Sequence, residues 1–468
     1  MEQVEIVDAG AEGMAIAKVD GLVVFVPYAV PGDIVDIQLY KKKKNYAEGR
    51  VVRLITPSPL RVEAQCPHFG ICGGCKWQTM RYEAQLEAKQ RQVRDNLERI
   101  GKIDCSGMRP ICGSENIYQY RNKLEFTFST KAWHTELPTP TGDRQPEWGA
   151  LGFHIPRLFD KVLPIEHCAL QKEPSNAIRM AINDYARAHN LPCYDIRNHT
   201  GYLRNIVIRC SSTGQWMVIV IIAEDRPDVL KPMLDMLRER FPQITSLQYI
   251  INTKWNDSYS DLEVHTYYGE DHIEEAMSGY HKDRELRFIV NPKSFYQTNS
   301  AQAQRLYSYV AELAELKPAD ILYDLYTGTG TIALFLASMV HKVVGIEYVE
   351  EAIADARLNA AHNGFQNTSF FAGDMAQVLT DQFIAAHGNP DVVVTDPPRA
   401  GMHEKVVCQL LAAAPRKIVY VSCNPATQAR DVQLLSARYT VRRIQPVDMF
   451  PHTQHVENIV ELILRDLE

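Results

Sequence analysis

The stretch DLYTGTGTIALFLA, Asp324 to Ala337, decides the fold. An apolar run, ILYDL, leads into it, two glycines (Gly328 and Gly330) turn the chain, and a helix-forming run follows. A strand, a glycine turn and a helix in that order let backbone approach a nucleotide closely. Glu347 ends the next apolar run, KVVGIE, 23 residues after Asp324, where a carboxylate can bind both hydroxyls of a ribose. The turn also satisfies the dinucleotide fingerprint G-x-G-x-x-A, so on its own it suits a nicotinamide enzyme equally well.

Outward from this turn, ILYDL, KVVGIE, TSFFAGD, DVVVTD, KIVYVSC and NIVELIL alternate with helical stretches from about residue 291 onward. The alternation predicts a doubly wound parallel sheet. Ligands of such sheets bind outside the carboxyl ends of the strands, and the later ends carry polar chemistry. Asp374 follows TSFFAG, Asp396 opens DPPRAG, Cys423 ends KIVYVSC before NPATQARD, and Glu457 lies in MFPHTQHVEN before the final strand.

Upstream, residues 1–58 read as short β runs punctuated by Gly10, Gly13, Gly21, Pro31 and Gly32, which predicts a small closed barrel of the OB type. Residues 59–290 read as an α+β middle region. It opens on CPHFGICGGCKWQ, where Cys66, Cys72 and Cys75 are spaced C-x5-C-x2-C, with Cys168 in IEHCALQ as a fourth candidate. Four thiolates suit an iron–sulfur cluster or a structural zinc, and the spacing does not choose. Cys105, Cys112, Cys193, Cys210 and Cys408 lack ligand spacing and read as packing. MRYEAQLEAKQRQVRDNLERI reads as a helix, and YRNKLEFTFS, LGFHI, LRNIVIRCS and WMVIVIIAE read as strands.

With 468 residues, 46% hydrophobic and 23% charged, the chain is long enough for several folded domains and far from disordered or low-complexity composition. No apolar run is long enough for a membrane span, and the N-terminus lacks a signal-peptide pattern, so the expected location is the cytoplasm, with no membrane partner. A net charge of −7 argues against coating nucleic acid non-specifically, but Lys41 to Lys44 and residues 76–123, with ten Lys and Arg against six Asp and Glu, are locally basic.

Taken together, NPKSFYQTN, DLYTGTGT, TDPPRAG, VYVSCNPATQARD and DMFPHTQHVEN resemble the SAM-dependent RNA uridine-5-methyltransferases, most closely the bacterial 23S ribosomal RNA branch. The resemblance covers nearly the whole chain and likens residues 1–58 to that family's TRAM barrel. It implies a multidomain α/β protein: an OB-like TRAM barrel (1–58), a central domain with the iron–sulfur loop (59–290) and a Rossmann-like methyltransferase domain (291–468). It implies C5 methylation of a uridine, most closely in 23S rRNA, by a monomer. Family members acting on tRNA generally lack the barrel and the cluster cysteines. Two departures are Thr331, where a relative carries Asn, and TDPPRAG for LDPARAG.

The resemblance further implies Cys423 as nucleophile on uracil C6 and Glu457 as the base that removes the C5 proton. Gln297 and Asp396 are expected beside methyl donor and base, and Tyr326, Gly328, Gly330, Thr331, Glu347 and Asp374 around SAM. Cys66, Cys72, Cys75 and Cys168 are expected to hold a 4Fe-4S cluster in a structural or RNA-positioning role. Phe69, Lys76 and Trp77 suit base stacking and phosphate contact, or equally packing around the cluster; His452 and His455 read as local hydrogen-bonding residues. Two other readings differ in class. One is a methyltransferase of exocyclic amino groups, which also uses D-P-P but follows it with an aromatic residue where this chain has Arg399. The other is a non-catalytic RNA-binding assembly factor.

Overall fold

The computed structural model describes residues 1–135, 148–281 and 284–465. Five strands between Val4 and Thr56 close into a barrel around Ile6, Ala15, Ala17, Val24, Val26, Val35 and Ile37, as the short alternating runs predict. The barrel closes because Val4–Ala9 pairs with both its hairpin partner Met14–Val19 and the strand Ile34–Lys42.

The middle region is built on a seven-stranded sheet whose centre is Trp216–Ile222 and Leu203–Cys210. Both strands are buried along their whole length, and Trp216–Ile222 is continuously apolar, because both faces are covered. Val218, Val220, Ile206 and Ile208 face the helices Ser175–Ala188 and Pro227–Arg240, whereas Val207, Met217, Ile219 and Ile221 share a core with the C-terminal sheet. The hairpin Ile273–Ser278/Glu285–Val290 joins this shared core through Met277, Leu286 and Phe288. It is pinned to the helix Glu350–His362, where Asn359 Oδ1 accepts from the Ile289 amide at 2.8 Å.

The C-terminal sheet runs, in spatial order, Thr368–Ala372, Lys342–Glu347, Ile321–Leu325, Val392–Thr395, Lys417–Ser422, Glu457–Leu464 and Tyr439–Val447. Two features differ from the sequence reading. Tyr439–Val447, with two arginines and Pro446, is a strand, and Glu457–Leu464 is antiparallel to both its neighbours. The sequence of this strand, ENIVELIL, carries no mark of direction. The consequence is chemical: the start of an antiparallel strand lies at the edge where its neighbours end. Ser422 pairs with Asn458, so Cys423 and Glu457, from strands that run in opposite directions, meet at one edge.

Helix Tyr82–Arg99 packs on this C-terminal unit rather than on the middle sheet, with Val93 and Leu97 against Ala429, Val432 and Leu435. Two of its other buried positions, Gln85 and Lys89, are polar. Lys89 Nζ donates to Asp448 Oδ1 at 2.6 Å and to the Phe450 carbonyl at 3.0 Å, and the Tyr82 hydroxyl donates to Asp448 Oδ2 at 2.7 Å. Lys89 and Asp448 are fully buried. Of the cysteines read as packing, Cys105, Cys112, Cys193 and Cys210 are buried; Cys408 is exposed on the helix Glu404–Ala413, a correction that follows from its place on that helix's outer side. Among the described residues no helix is long and apolar enough to cross a membrane.

Removing one partner of a buried ion pair leaves the other charge uncompensated. Lys89→Met is therefore expected to cost about 3–5 kcal/mol in denaturant unfolding, and Lys89→Met/Asp448→Leu less than the two single changes together. Additive losses would show that the two charges act independently.

Candidate active site

The glycine turn is built at the end of Ile321–Leu325. Tyr326 takes a left-handed conformation (φ 64°), and Gly328 (φ 55°) has open space where a side chain would stand, so a ligand can lie against its backbone. Gly330 is the N-cap of the next helix, and a side chain there would press on Ala356. Glu347 closes the turn from the next strand, accepting from the Gly328 amide at 3.1 Å and the Val349 amide at 3.0 Å. Asp374 is exposed and caps the helix Met375–Val378 through Oδ1 on the Ala376 amide at 2.8 Å, which leaves Oδ2 toward solvent. Thr331 Oγ1 lies 3.2 Å from the Tyr307 hydroxyl.

Beneath the turn, Asp324 is buried, accepting from Thr327 Oγ1 at 2.6 Å and the Ala333 amide at 3.1 Å. Burial pushes its carboxyl up to about 7 despite those bonds. Asp396 is likewise pushed up to about 7, by burial and then by Asp324. The carboxyl of Glu457 is raised well above the usual range by burial and then by Asp396, with Arg399 opposing. Three carboxyl groups thus share one low-dielectric edge, and Tyr307, on the helix Ser300–Ala314, feels all three.

Cys423 stands at the N-terminal end of the helix Pro425–Leu435, whose N-cap is Asn424. Burial raises its thiol to about 11, Glu457 and Asp396 add to that, and the Arg399 guanidinium opposes by charge and a side-chain hydrogen bond. Arg399 is aimed by its own backbone: its carbonyl accepts from Asn424 Nδ2 at 3.0 Å and Thr427 Oγ1 at 3.1 Å. DPPRAG and NPAT therefore form one unit. Below it, Asp431 Oδ2 accepts from the Met402 amide and the Tyr420 hydroxyl, both at 2.7 Å. Gln297 lies in the stretch between the hairpin and the helix Ser300–Ala314, its carbonyl held by Asn122 Nδ2 at 2.8 Å.

The loop that delivers Glu457 is held from the N-terminal half. The His452 carbonyl accepts from the Lys76 and Trp77 amides at 2.8 and 3.0 Å, and Gln85 Oε1 accepts from the His452 amide at 2.9 Å. His452 stacks on Tyr118 with centroids 4.3 Å apart, and burial lowers its imidazole to about 4. Lys76 and Trp77 directly follow Cys75, so the cysteine loop is fastened to the catalytic loop. The barrel meets both at Gly13, where an added side chain would strike Lys76 and approach Gln454. Trp77 is buried among Val30, Met80, Ala84 and Ala88, so of its two readings packing is the one realised. Phe69 meets Tyr28 edge-on at 5.3 Å.

Cys66, Cys72, Cys75 and Cys168 come within electrostatic reach of one another. Burial raises Cys75 to about 12 and Cys168 to about 11, and the other thiols of the set raise both further. Cys168 is fixed by Asn176, which accepts from its amide at 2.8 Å and donates to its carbonyl at 3.2 Å.

Arg399, Tyr307 and the Lys89–Asp448 pair have no functional role in the sequence reading. Arg399 was legible as the residue after D-P-P. Tyr307 reads as one more apolar position on a helix.

Comparison with known proteins agrees with this geometry. Residues 263–465 match the family described as tRNA (Uracil-5-)-methyltransferase, and residues 2–52 match the TRAM domain. An uncharacterized RNA methyltransferase of Bacteroides thetaiotaomicron is 55% identical over 97% of this chain and 100% of its own length. One from Chlorobaculum tepidum is 38% identical over 96% of this chain and 91% of its own. Among solved structures, the Pyrococcus abyssi tRNA (uracil-54, C5)-methyltransferase in complex with S-adenosyl-L-homocysteine superposes with a TM-score of 0.75 at 27% identity, covering 98% of this chain and all of that one. With a TRAM barrel at one end, a methyltransferase sheet at the other and relatives matched along their whole length, the chain belongs to the RNA uracil-5-methyltransferase family.

Proposed function

We propose that the chain methylates C5 of a uridine in RNA, with 23S ribosomal RNA as substrate, through an adduct between Cys423 Sγ and uracil C6. The observation that carries this reading is the antiparallel last strand, which sets Glu457 beside Cys423 with Arg399 between their charges. An exocyclic-amino methyltransferase needs neither group. SAM, when bound, supplies an electrophilic methyl. The residues that fit its adenosyl part are Gly328, with free space over its backbone, the Glu347 carboxylate and Asp374.

The chain's own residues account for the rest of the chemistry. Uracil C5 is a weak nucleophile until Sγ bonds to C6 and electron density moves to C5. Cys423 has to lose its proton first, against burial and two carboxyl neighbours; Arg399 and the helix N-terminus favour the thiolate. Once C5 carries the methyl, its proton has to leave before Sγ can. Glu457, held above the ordinary carboxylate range, is a stronger base than a free carboxylate. The proton passes to Glu457, the C5–C6 double bond reforms, and the Sγ–C6 bond breaks.

The mutual electrostatic influence of Cys66, Cys72, Cys75 and Cys168 supports one shared group on the four thiols. Among the described residues no three His, Cys, Asp or Glu side chains already stand in an arrangement that could hold a metal ion. A 4Fe-4S cluster there would fix Lys76 and Trp77 and, through them, the His452 carbonyl. Its role in this reading is positional, since methyl transfer needs no electron from it. A second reading, tRNA as substrate, is favoured by the Pyrococcus abyssi enzyme, whose likeness extends through the barrel.

Unmodified 23S rRNA and tRNA, incubated separately with labelled SAM and mapped by nucleotide, test the substrate: label at one or more uridines of 23S rRNA is expected, and label in tRNA alone gives the second reading. Denaturing gels test the roles. Cys423→Ala is expected to form no protein–RNA adduct, whereas Glu457→Gln methylates and then stalls as an adduct, its elimination slowed roughly 10²–10⁴-fold. An adduct in Cys423→Ala overturns the assignment.

Arg399→Gln removes the cation that opposes the rise of the Cys423 thiol. The folded thiol then ionises at still higher pH, so the rate at neutral pH falls about tenfold for each unit of rise and recovers as pH increases. An unchanged pH profile would separate Arg399 from the thiol. Protein purified without oxygen is expected to carry about four irons per chain; one zinc and no iron would overturn the cluster.

A further inference from the structure

Trp255 is 74% exposed, in the loop after the strand Ile244–Ile251 of the middle sheet. An indole left in water is costly, yet the loop is built to hold it there. Arg204, itself 1% exposed, donates to the carbonyls of Asn252, Lys254 and Asn256 at 2.9, 2.5 and 2.7 Å and to Asp257 Oδ1 at 3.0 Å. The buried Asn252 adds bonds to the Lys254 amide at 3.0 Å and the Asn256 carbonyl at 3.1 Å. Two buried polar side chains thus fix the backbone on both sides of Trp255.

The indole is stacked on one face only. His199 lies parallel to it, with ring centroids 4.8 Å apart and planes 11° from parallel. The same turn carries Arg197, whose guanidinium lies 4.9 Å over the ring of Phe159, another exposed aromatic at 60%. Asp195 ties that turn down, accepting from the Arg197 and Asn198 amides at 2.8 and 3.0 Å. Arg197 and His199 are two residues apart in that turn, so it backs both exposed rings, and Phe159 and Asp257 line a single depression next to it.

We propose that this surface is a stacking platform for unpaired bases of the substrate RNA, separate from the pocket for the target uridine; the proposal rests on the chain's RNA being its substrate. Flat rings backed on one side by an imidazole or a guanidinium accept a base on the other side. Asn198 and Asn256 are exposed beside the rings and offer amide donors and acceptors to the edges of a stacked base. The Arg197 charge is met by Asp160, with Nε to Oδ2 at 2.6 Å, so stacking rather than net charge supplies the attraction. The platform is joined to the active site along the chain. The loop continues through Tyr259, hydrogen-bonded to Glu125, to Leu262, whose carbonyl accepts from Lys293 in the stretch that carries Gln297.

The test uses the full-length protein with Trp255→Ala, Trp255→Phe and Phe159→Ala. The probes are an unstructured RNA of about 16 nucleotides and unmodified 23S rRNA. Trp255→Ala is expected to weaken binding of the short RNA roughly 5- to 100-fold, with the loss nearly independent of salt and largely restored by Trp255→Phe. RNA quenches tryptophan emission in the native protein and much less in Trp255→Phe, while SAM affinity stays unchanged. Equal RNA affinity with equal quenching in native protein and variants overturns the proposal. So does a Trp255→Ala variant that binds free RNA normally but loses affinity for intact ribosomal particles, which would make the face a protein contact. These readouts do not depend on which atom is methylated, so a product other than 5-methyluridine would refute the proposed reaction and leave the platform to its own result.

Discussion

The buried pair Lys89–Asp448 is the constraint on which the active site depends. A lysine on a helix near the start of the chain and an aspartate near its end are both removed from water, and neither is tolerable without the other. Burial pulls the Lys89 ammonium below its ordinary range and Asp448 opposes that pull, so the pair holds its charge only while it is assembled. The Phe450 amide and carbonyl and the Tyr82 hydroxyl complete the cage. Everything from Asp448 to Glu457 hangs from it, including the His452 carbonyl to which the cysteine loop is tied.

The second organising fact is that the centre of the middle sheet has no free face. One side packs on its own helices and the other enters the core of the methyltransferase sheet. The middle sheet and the methyltransferase sheet are therefore fixed to one another through a shared core. At the catalytic edge the electrostatics are set by crowding: three carboxyl groups and a thiol are all raised by burial, and Arg399 is the cation that offsets the last carboxyl and the thiol. Each acidic group thereby holds a proton more tightly than in water, and in the proposed reaction that makes Glu457, once ionised, the stronger acceptor for the C5 proton.

Much of this was legible in the sequence. The glycine turn, the strand ends carrying Asp374, Asp396 and Cys423, and the short barrel strands are local patterns that sequence reads well. Direction and partnership are not local. The run NIVELIL, apolar except for Asn458 and Glu461, looks the same parallel or antiparallel, yet its direction is what sets Glu457 beside Cys423. Gln85 and Lys89 break the apolar stripe of their helix and read as solvent positions, because two of the partners that hold them, His452 and Asp448, lie more than 350 residues away. Trp77 looked as suited to stacking as to packing until its burial was known. Arg399 carried a hint in its place after D-P-P, but its carbonyl clamp by Asn424 and Thr427 joins two motifs that the sequence leaves separate.

That separation along the chain also orders events in time. A ribosome releases Gln85 and Lys89 long before it makes Asp448 or His452, and contacts of such range close late. The barrel and the middle region can therefore gather their own cores during synthesis while helix Tyr82–Arg99 waits with its polar face in water. Catalytic competence arrives as a final stitch, and every chain that stops short of that stitch is a folded protein without an enzyme in it.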